Sequence, residues 1–238
     1  MTNWLERTTL LFGDDTVKKL KEKNVLIAGL GGVGAYAAES ICRSGIGKIT
    51  LVDNDIITET NKNRQLLALD STIGKQKTEI LKKRLLDINK DIEITVIGDY
   101  IDENNIPEIL SKQNYDYIVD AIDTISPKFN LIKYAVENKI NIVSSMGAGG
   151  KKNPEMVKIA DISKSYNCKL SRTIRKRLHK TGIYKGFKVV FSPEEIDETS
   201  IKFVDEKHKK TTLGTAAYMP AIFGFYCSYV VVDKLINS

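Results

Sequence analysis

Cysteine is scarce in this chain, and the few that occur stand apart. Cys42, Cys168 and Cys227 are the only three in 238 residues, and no two form a CxxC pair. That spacing argues against a disulfide framework and a cysteine-ligated zinc site, and it fits a reducing cytosol. Histidine is scarcer still, with two in the chain, so no four-ligand zinc set is available and no bound zinc is expected. No GxxxxGK[ST] occurs, which excludes a P-loop. The opening MTNWLERTT lacks the apolar stretch of a signal peptide, and none is expected. Internal repeats and low-complexity segments are also missing. One uncharged run does stand out: Leu213 to Val232 is 20 residues, the length of a spanning helix. It contains Gly214, Thr215, Pro220, Gly224, Ser228 and three tyrosines. Pro220 suits the first position of a helix, so the run reads as a buried helix in the core or in a dimer interface.

What is present is a globular composition. Hydrophobic residues make up 42% of the chain, enough for a sizeable core. Net charge is 36 − 30 = +6, which permits an anionic partner without demanding one.

The organising stretch lies between residues 24 and 65. An apolar run, Val25 to Ala28, is followed by Gly29, Gly31, Gly32 and Gly34, then by a helical pattern to about Arg43. A second apolar run, Ile49 to Val52, ends on Asp53. Strand, glycine turn, helix, strand and acid form the unit that holds a nucleotide's phosphates at a helix N-terminus and its ribose on a carboxylate. Beyond the acid come Asp55, Asn61, Asn63, Arg64 and Gln65, then Gly74, Lys75 and Lys77. Cations in reach of a glycine loop suit a triphosphate under attack, where charge develops on oxygen.

The rest alternates strand and helix. Residues 75–89 place Ile80, Leu81, Leu85 and Ile88 on one helical face, and Asp91 to Ile97 reads as a strand. Asn104 to Lys112 is a short helix with Pro107 in its first turn. Tyr115 to Ala121 is a strand whose C-terminal end carries Asp120 and Asp123, the end where open α/β sheets bind ligands. Ser126 as N-cap and Pro127 at the first position start the next helix, and Ile140 to Ser145 is the next strand. The expected fold is α/β, a doubly wound, mostly parallel Rossmann-like sheet with a C-terminal mixed extension. Residues 1–150 form its nucleotide-binding part, 151–212 a basic insertion and 213–238 a C-terminal helix.

Within the insertion, MVKIADI (residues 156–162) and FKVVFS read as strands, and DETSIKFVDEKHKKTT as loop or edge structure. Residues 169–188 hold eight Lys or Arg, one His and no acid. Leu170, Ile174 and Leu178 recur every four residues, so an amphipathic helix with a cationic outer face is expected. Like charges on helical neighbours repel unless an anion relieves them. Arg172, Arg175, Lys176, Arg177 and Lys180 are the outward candidates for an anionic polymer such as RNA. Cys42 reads as a small buried helix residue, whereas Cys168, near the basic helix, could be exposed.

GLGGVG, LVDND, NKNRQ, GKQK and DAID, in that order, resemble the ThiF/MoeB/HesA family, bacterial relatives of ubiquitin-activating enzymes. RTTLLFG, SSMGAGGK, the VKIADI strand with its basic helix, and LGTAAYMP resemble the branch of tRNA threonylcarbamoyladenosine dehydratases. The resemblance implies a cytoplasmic homodimer that uses ATP and Mg²⁺ to adenylate a carboxylate. The four glycines would wrap the phosphates, and Asp53 would bind the ribose, with Asp55 and Asp120 also lining the nucleotide site. Asn61, Arg64 and Lys77 would contact phosphates, Gln65 would order the site and Asp123 would hold Mg²⁺. Arg7 would reach into the partner's site, making Arg7, Arg64, Lys77 and Asp123 the catalytic set. The substrate would be tRNA, and a sulfur-relay protein partner is left unnamed. The implied reaction is cyclisation of threonylcarbamoyladenosine. Two alternatives stand beside it: an activator of a ubiquitin-like sulfur carrier, which the missing zinc cysteines disfavour, and a nucleotide-binding module without catalysis.

Overall fold

The computed structural model describes residues 4–206 and 209–237. The readings made on Met1 to Asn3 and on His208 lie outside them. The main sheet has seven strands in the order β3-β2-β1-β4-β5-β7-β6. These are β1 (Asn24–Ala28), β2 (Lys48–Val52), β3 (Glu93–Ile97), β4 (Tyr117–Asp120), β5 (Ile142–Ser145), β6 (Lys158–Asp161) and β7 (Lys188–Phe191). All pair parallel except β6, which runs antiparallel to β7 at the edge. Segment 151–212 thus adds two strands to the main sheet. The expected doubly wound fold is what forms.

The central strands β1, β4 and β5 are buried along their whole length because both faces of the sheet are covered there, whereas the edge strands β3 and β6 are partly exposed. One face packs α3 (Gly34–Arg43), α4 (Lys77–Ile88) and α8 (Tyr218–Ile236) around Val25, Ile27, Leu51 and Val119. The other packs α5 (Ile106–Ser111), α6 (Ile125–Glu137) and α7 (Lys169–His179) around Leu26, Ala28, Ile118 and Val189. Two short helices, α1 (Glu6–Phe12) and α2 (Asp14–Glu22), precede β1, and α2 buries Val17 and Leu20 as their spacing predicts. The segment read as loop or edge contains a separate hairpin, β8 (Ile201–Glu206) with β9 (Lys209–Leu213).

Two helix starts differ from expectation. Helix α6 begins at Ile125 with Thr124 as N-cap, so Ser126 and Pro127 both lie inside its first turn. A proline is tolerated there because first-turn N–H groups have no intrahelical acceptor. For the same reason α8 begins at Tyr218, two residues ahead of Pro220. Helix α8 is long and apolar enough to cross a membrane, but Met219, Phe223, Cys227 and Val231 form a fully buried stripe against the core. At Gly224 a Cβ would stand 2.5 Å from the Val33 carbonyl, so α8 and α3 cross in close contact.

Candidate nucleotide site at the switch point

Strand order reverses between β1 and β4, and there the crevice outside the strands' C-terminal ends opens. The glycine loop leaves β1 with Gly29 at φ +86°, where a Cβ would come within 2.7 Å of the Ala121 carbonyl. A side chain is excluded on both counts. Gly34, the first residue of α3, lies so close to the Gly29 carbonyl that a Cβ would overlap it. The loop therefore turns tightly into the N-terminus of α3, whose free N–H groups suit an anion.

Asp53, just past β2, is tied to this loop. Its Oδ2 accepts the Leu30 N–H at 2.6 Å, and its Oδ1 accepts the Asp55 N–H at 2.8 Å. Burial pushes the Asp53 carboxyl up from its ordinary range, against the opposing pull of Lys77 and these two N–H groups. Lys77 opens α4 and is itself buried. Its Nζ lies 2.6 Å from Asp55 Oδ2 and 3.8 Å from Asp53 Oδ1. The structure thus brings Asp53, Asp55 and Lys77 together as one charged cluster beside the glycine loop.

The NKNRQ segment packs against the glycine loop. Asn61 is buried and accepts the Thr58 N–H on Oδ1 at 3.2 Å, so that oxygen holds a turn. Arg64 donates from Nη1 to the Thr60 carbonyl and to Asn63 Oδ1, at 2.9 and 2.8 Å. Its own carbonyl abuts Gly32. Gln65 lies against Gly31, and its buried Oε1 has no hydrogen-bond partner. An orphaned buried oxygen at a phosphate loop is a place for a ligand's donor.

Two acids end β4, and they differ. Asp123 lies exposed on the following turn, at the mouth of the crevice. Asp120 does not line it: it is fully buried, with Oδ2 on Lys128 Nζ at 2.7 Å and Oδ1 on the Ile122 N–H at 3.1 Å. The nucleotide-lining role expected of Asp120 gives way to a structural one, because its lone pairs are already taken by its own neighbours. Among the described residues no group of three or more His, Cys, Asp or Glu could hold a metal ion. The donor set nevertheless suits Mg²⁺, which usually takes one or two carboxylates and completes its shell with phosphates and water.

A model of the ThiF family matches residues 5–237. The chain belongs to the ThiF family. A Bacillus subtilis relative, named tRNA threonylcarbamoyladenosine dehydratase, is 37% identical over 244 residues, covering 99% of this chain and 96% of that protein. An Escherichia coli relative of the same name is 35% identical, covering 98% of this chain and 94% of its own length. The crystal structure of the E. coli enzyme, TcdA, in complex with ATP superposes with a TM-score of 0.88 at 32% identity, covering 97% of this chain and 93% of that one. The ThiF-family resemblance carried by GLGGVG, LVDND, NKNRQ, GKQK and DAID is therefore borne out.

Outside the crevice, α7 carries its expected apolar face, with Ile174 and Leu178 buried and Leu170 half-buried. Arg172, Lys176 and Lys180 are exposed along one outward stripe, and Arg177 is exposed beside it. Arg175 departs from expectation. Its Nη1 donates inward to the Ser165 carbonyl at 2.6 Å and to Ser165 Oγ at 2.5 Å, because position 175 borders the buried face of Ile174 and Leu178. Cys168 is also buried, its Sγ on the Met146 carbonyl at 3.5 Å, and so is not the exposed thiol the sequence allowed. Arg7 is exposed on α1.

Sequence reasoning missed Lys128 and the role of LGTAAYMP. Lys128 stands on the apolar stripe of α6 with Leu131, Ile132 and Ala135, and a lysine at such a position was the available signal. In LGTAAYMP, the Thr215 carbonyl accepts Asn63 Nδ2 at 3.2 Å, and Pro220 packs on Gly32. No local pattern reports that contact, which joins segments more than 150 residues apart.

Proposed function

We propose that the chain is an ATP-dependent tRNA threonylcarbamoyladenosine dehydratase working through carboxylate adenylation. The observation that carries this is the match, over nearly the whole of both chains, to relatives of that name and to TcdA with ATP. The glycine loop receives the phosphates and Asp53 the ribose hydroxyls. Arg64 and Lys77 hold the phosphate oxygens, and Gln65 offers its orphaned Oε1 to a donor in the same site. Asp123 would hold Mg²⁺, which when bound neutralises phosphate charge.

A threonyl carboxylate oxygen attacks the α-phosphorus and pyrophosphate leaves. The substrate's own carbamoyl group then attacks the acyl carbon, closing a ring and expelling AMP, which keeps that carboxylate oxygen. The nucleophile is internal, so no thiol is required, in keeping with three buried cysteines. The enzyme works as a cytoplasmic homodimer, with Arg7 of each subunit reaching the partner's site. Arg172, Lys176, Arg177 and Lys180 hold the tRNA backbone.

The test is mass spectrometry of nucleosides from tRNA carrying threonylcarbamoyladenosine, after incubation with protein and ATP. Cyclic nucleoside, one water lighter, is expected with AMP in equal amount. An unchanged nucleoside, with ATP turnover only when a ubiquitin-like carrier protein is added, would sink this reading and favour a sulfur-carrier activator.

A further inference from the structure

Strand β4 ends in a charge that solvent does not reach. Asp120 and Lys128 are both at 0% exposure, 2.7 Å apart. Ser144, on the adjoining β5, closes a triangle: its hydroxyl donates to Asp120 Oδ2 at 2.5 Å and accepts Lys128 Nζ at 3.1 Å. The remaining carboxylate oxygen accepts the Ile122 N–H. Two strands and α6 therefore meet at one carboxylate.

Between Asp120 and Lys128 runs the turn that carries Asp123. On one side it is fixed to β1, since the Ala121 N–H donates to the Ala28 carbonyl at 2.8 Å and the Ala121 carbonyl lies against Gly29. On the other it is fixed to α6, where the Lys128 N–H donates to the Thr124 carbonyl at 3.3 Å. Stability is a poor account of such a pair. Removing two charges from water costs about as much as their attraction returns, and well-packed apolar replacements are often as stable. A fully satisfied buried network instead selects one geometry, because each member has a single set of partners.

We propose that Lys128 is a positioning residue: through Asp120 and Ser144 it fixes the 121–124 turn, and with it Asp123, at the phosphate end of the nucleotide site. This rests on the reading of the chain as an ATP-using enzyme. The glycine loop touches this turn at Ala121 but is also tied to β2 by the Gly29 N–H on the Val52 carbonyl and to Asp53 by the Leu30 N–H, so loosening the turn spares nucleotide binding and slows the chemical step.

The test is the double variant Asp120→Asn with Lys128→Met, neutral and close in volume. Asn at 120 can still accept the Ile122 N–H and donate to Ser144. Expected are a cooperative melt near that of the parent, ATP affinity within about threefold by calorimetry, and kcat for AMP release lower by about tenfold or more. Amide exchange at residues 121–124 should also quicken. Should the double variant fail to fold, Ser144→Ala takes its place with the same readouts. A kcat within about threefold of the parent, or unchanged exchange at 121–124, overturns the proposal. So does a parallel loss of ATP affinity, kcat and melting temperature, which marks a merely structural pair. Absence of AMP release by the parent refutes the reading of function instead, and exchange at 121–124 still judges the clamp.

Discussion

Lys77 sits between the carboxylates of Asp53 and Asp55, so removing its charge acts on stability as well as on its proposed part in catalysis. Its proposed role on phosphate predicts that Lys77→Met lowers AMP release by about 100-fold, the scale of losing a charge-stabilising donor. Asp53 supplies the pH dependence. Its folded-state pKa is raised, chiefly by burial, so the native state holds the proton more readily than the unfolded chain. Its contribution to stability is present below the ordinary carboxylate value of about 3.9 and is lost as pH rises through the folded value. Lys77 limits that loss by favouring the charged form. The melting deficit of Lys77→Met should therefore widen as pH rises through this window, and a deficit independent of pH would count against the coupling. The cysteines give a separate test. Burial pushes the Cys42 and Cys227 thiols up to about 12, and Cys168 is buried as well. Iodoacetamide should label the three only after denaturation, and Cys168→Ala should keep AMP release near that of the parent. Complete loss of turnover in a normally folded Cys168→Ala protein would revive a thiol mechanism.

Helix α7 shows what one element contributes. Arg172, Lys176 and Lys180 recur at the spacing of a single exposed face, while Arg175 is spent on Ser165. Replacing Arg172, Lys176 and Lys180 by Glu should weaken tRNA binding and leave ATP affinity unchanged. Its log–log salt dependence should flatten by about 0.7 to 0.9 for each phosphate the helix no longer neutralises. Arg175→Glu should act differently, lowering the melting temperature by placing a carboxylate against the Ser165 and Ile162 carbonyls. An unchanged salt slope in the triple variant would mean that RNA docks elsewhere. The contrast marks how far the sequence could be read. Period-3.6 spacing located α7 and its buried face, and alternation of apolar runs with glycine turns located β1, β2, α3 and their ligand end. These signals are local. Asp120 could not be told from Asp123, because both end the same strand and only Lys128, eight residues on, decides which is buried. The Pro220–Gly32 contact was equally hidden, since it is made by packing.

At the scale of the whole molecule, the N-terminal helix lacks a reason to fold within one subunit. Helix α1 has seven residues and buries none of them. Leu10 and Leu11 are 81% and 75% exposed. So short a helix is not stable in water on its own. Beside it, Thr8, Phe12, Tyr36, Leu66 and Phe225 line a groove of about 380 Å³, and Tyr229 stands exposed on α8. The proposed homodimer would bury this apolar surface and give α1 its packing. Arg7, one residue into α1, would there reach the partner's phosphates. If it acts across the interface, each active site draws Arg7 from one subunit and Asp123 from the other. Arg7→Ala and Asp123→Ala should each abolish AMP release as pure proteins. Mixed under conditions where subunits exchange, half the dimers are mixed, and each of those has one of its two sites intact. Recovery of about a quarter of parental activity is expected, and none if both residues serve the site of their own subunit. Leu10→Glu with Leu11→Glu should return the protein to monomers in sedimentation and remove turnover, while ATP binding persists through the glycine loop and Asp53. A dimer that survives those two charges would place the interface on another face.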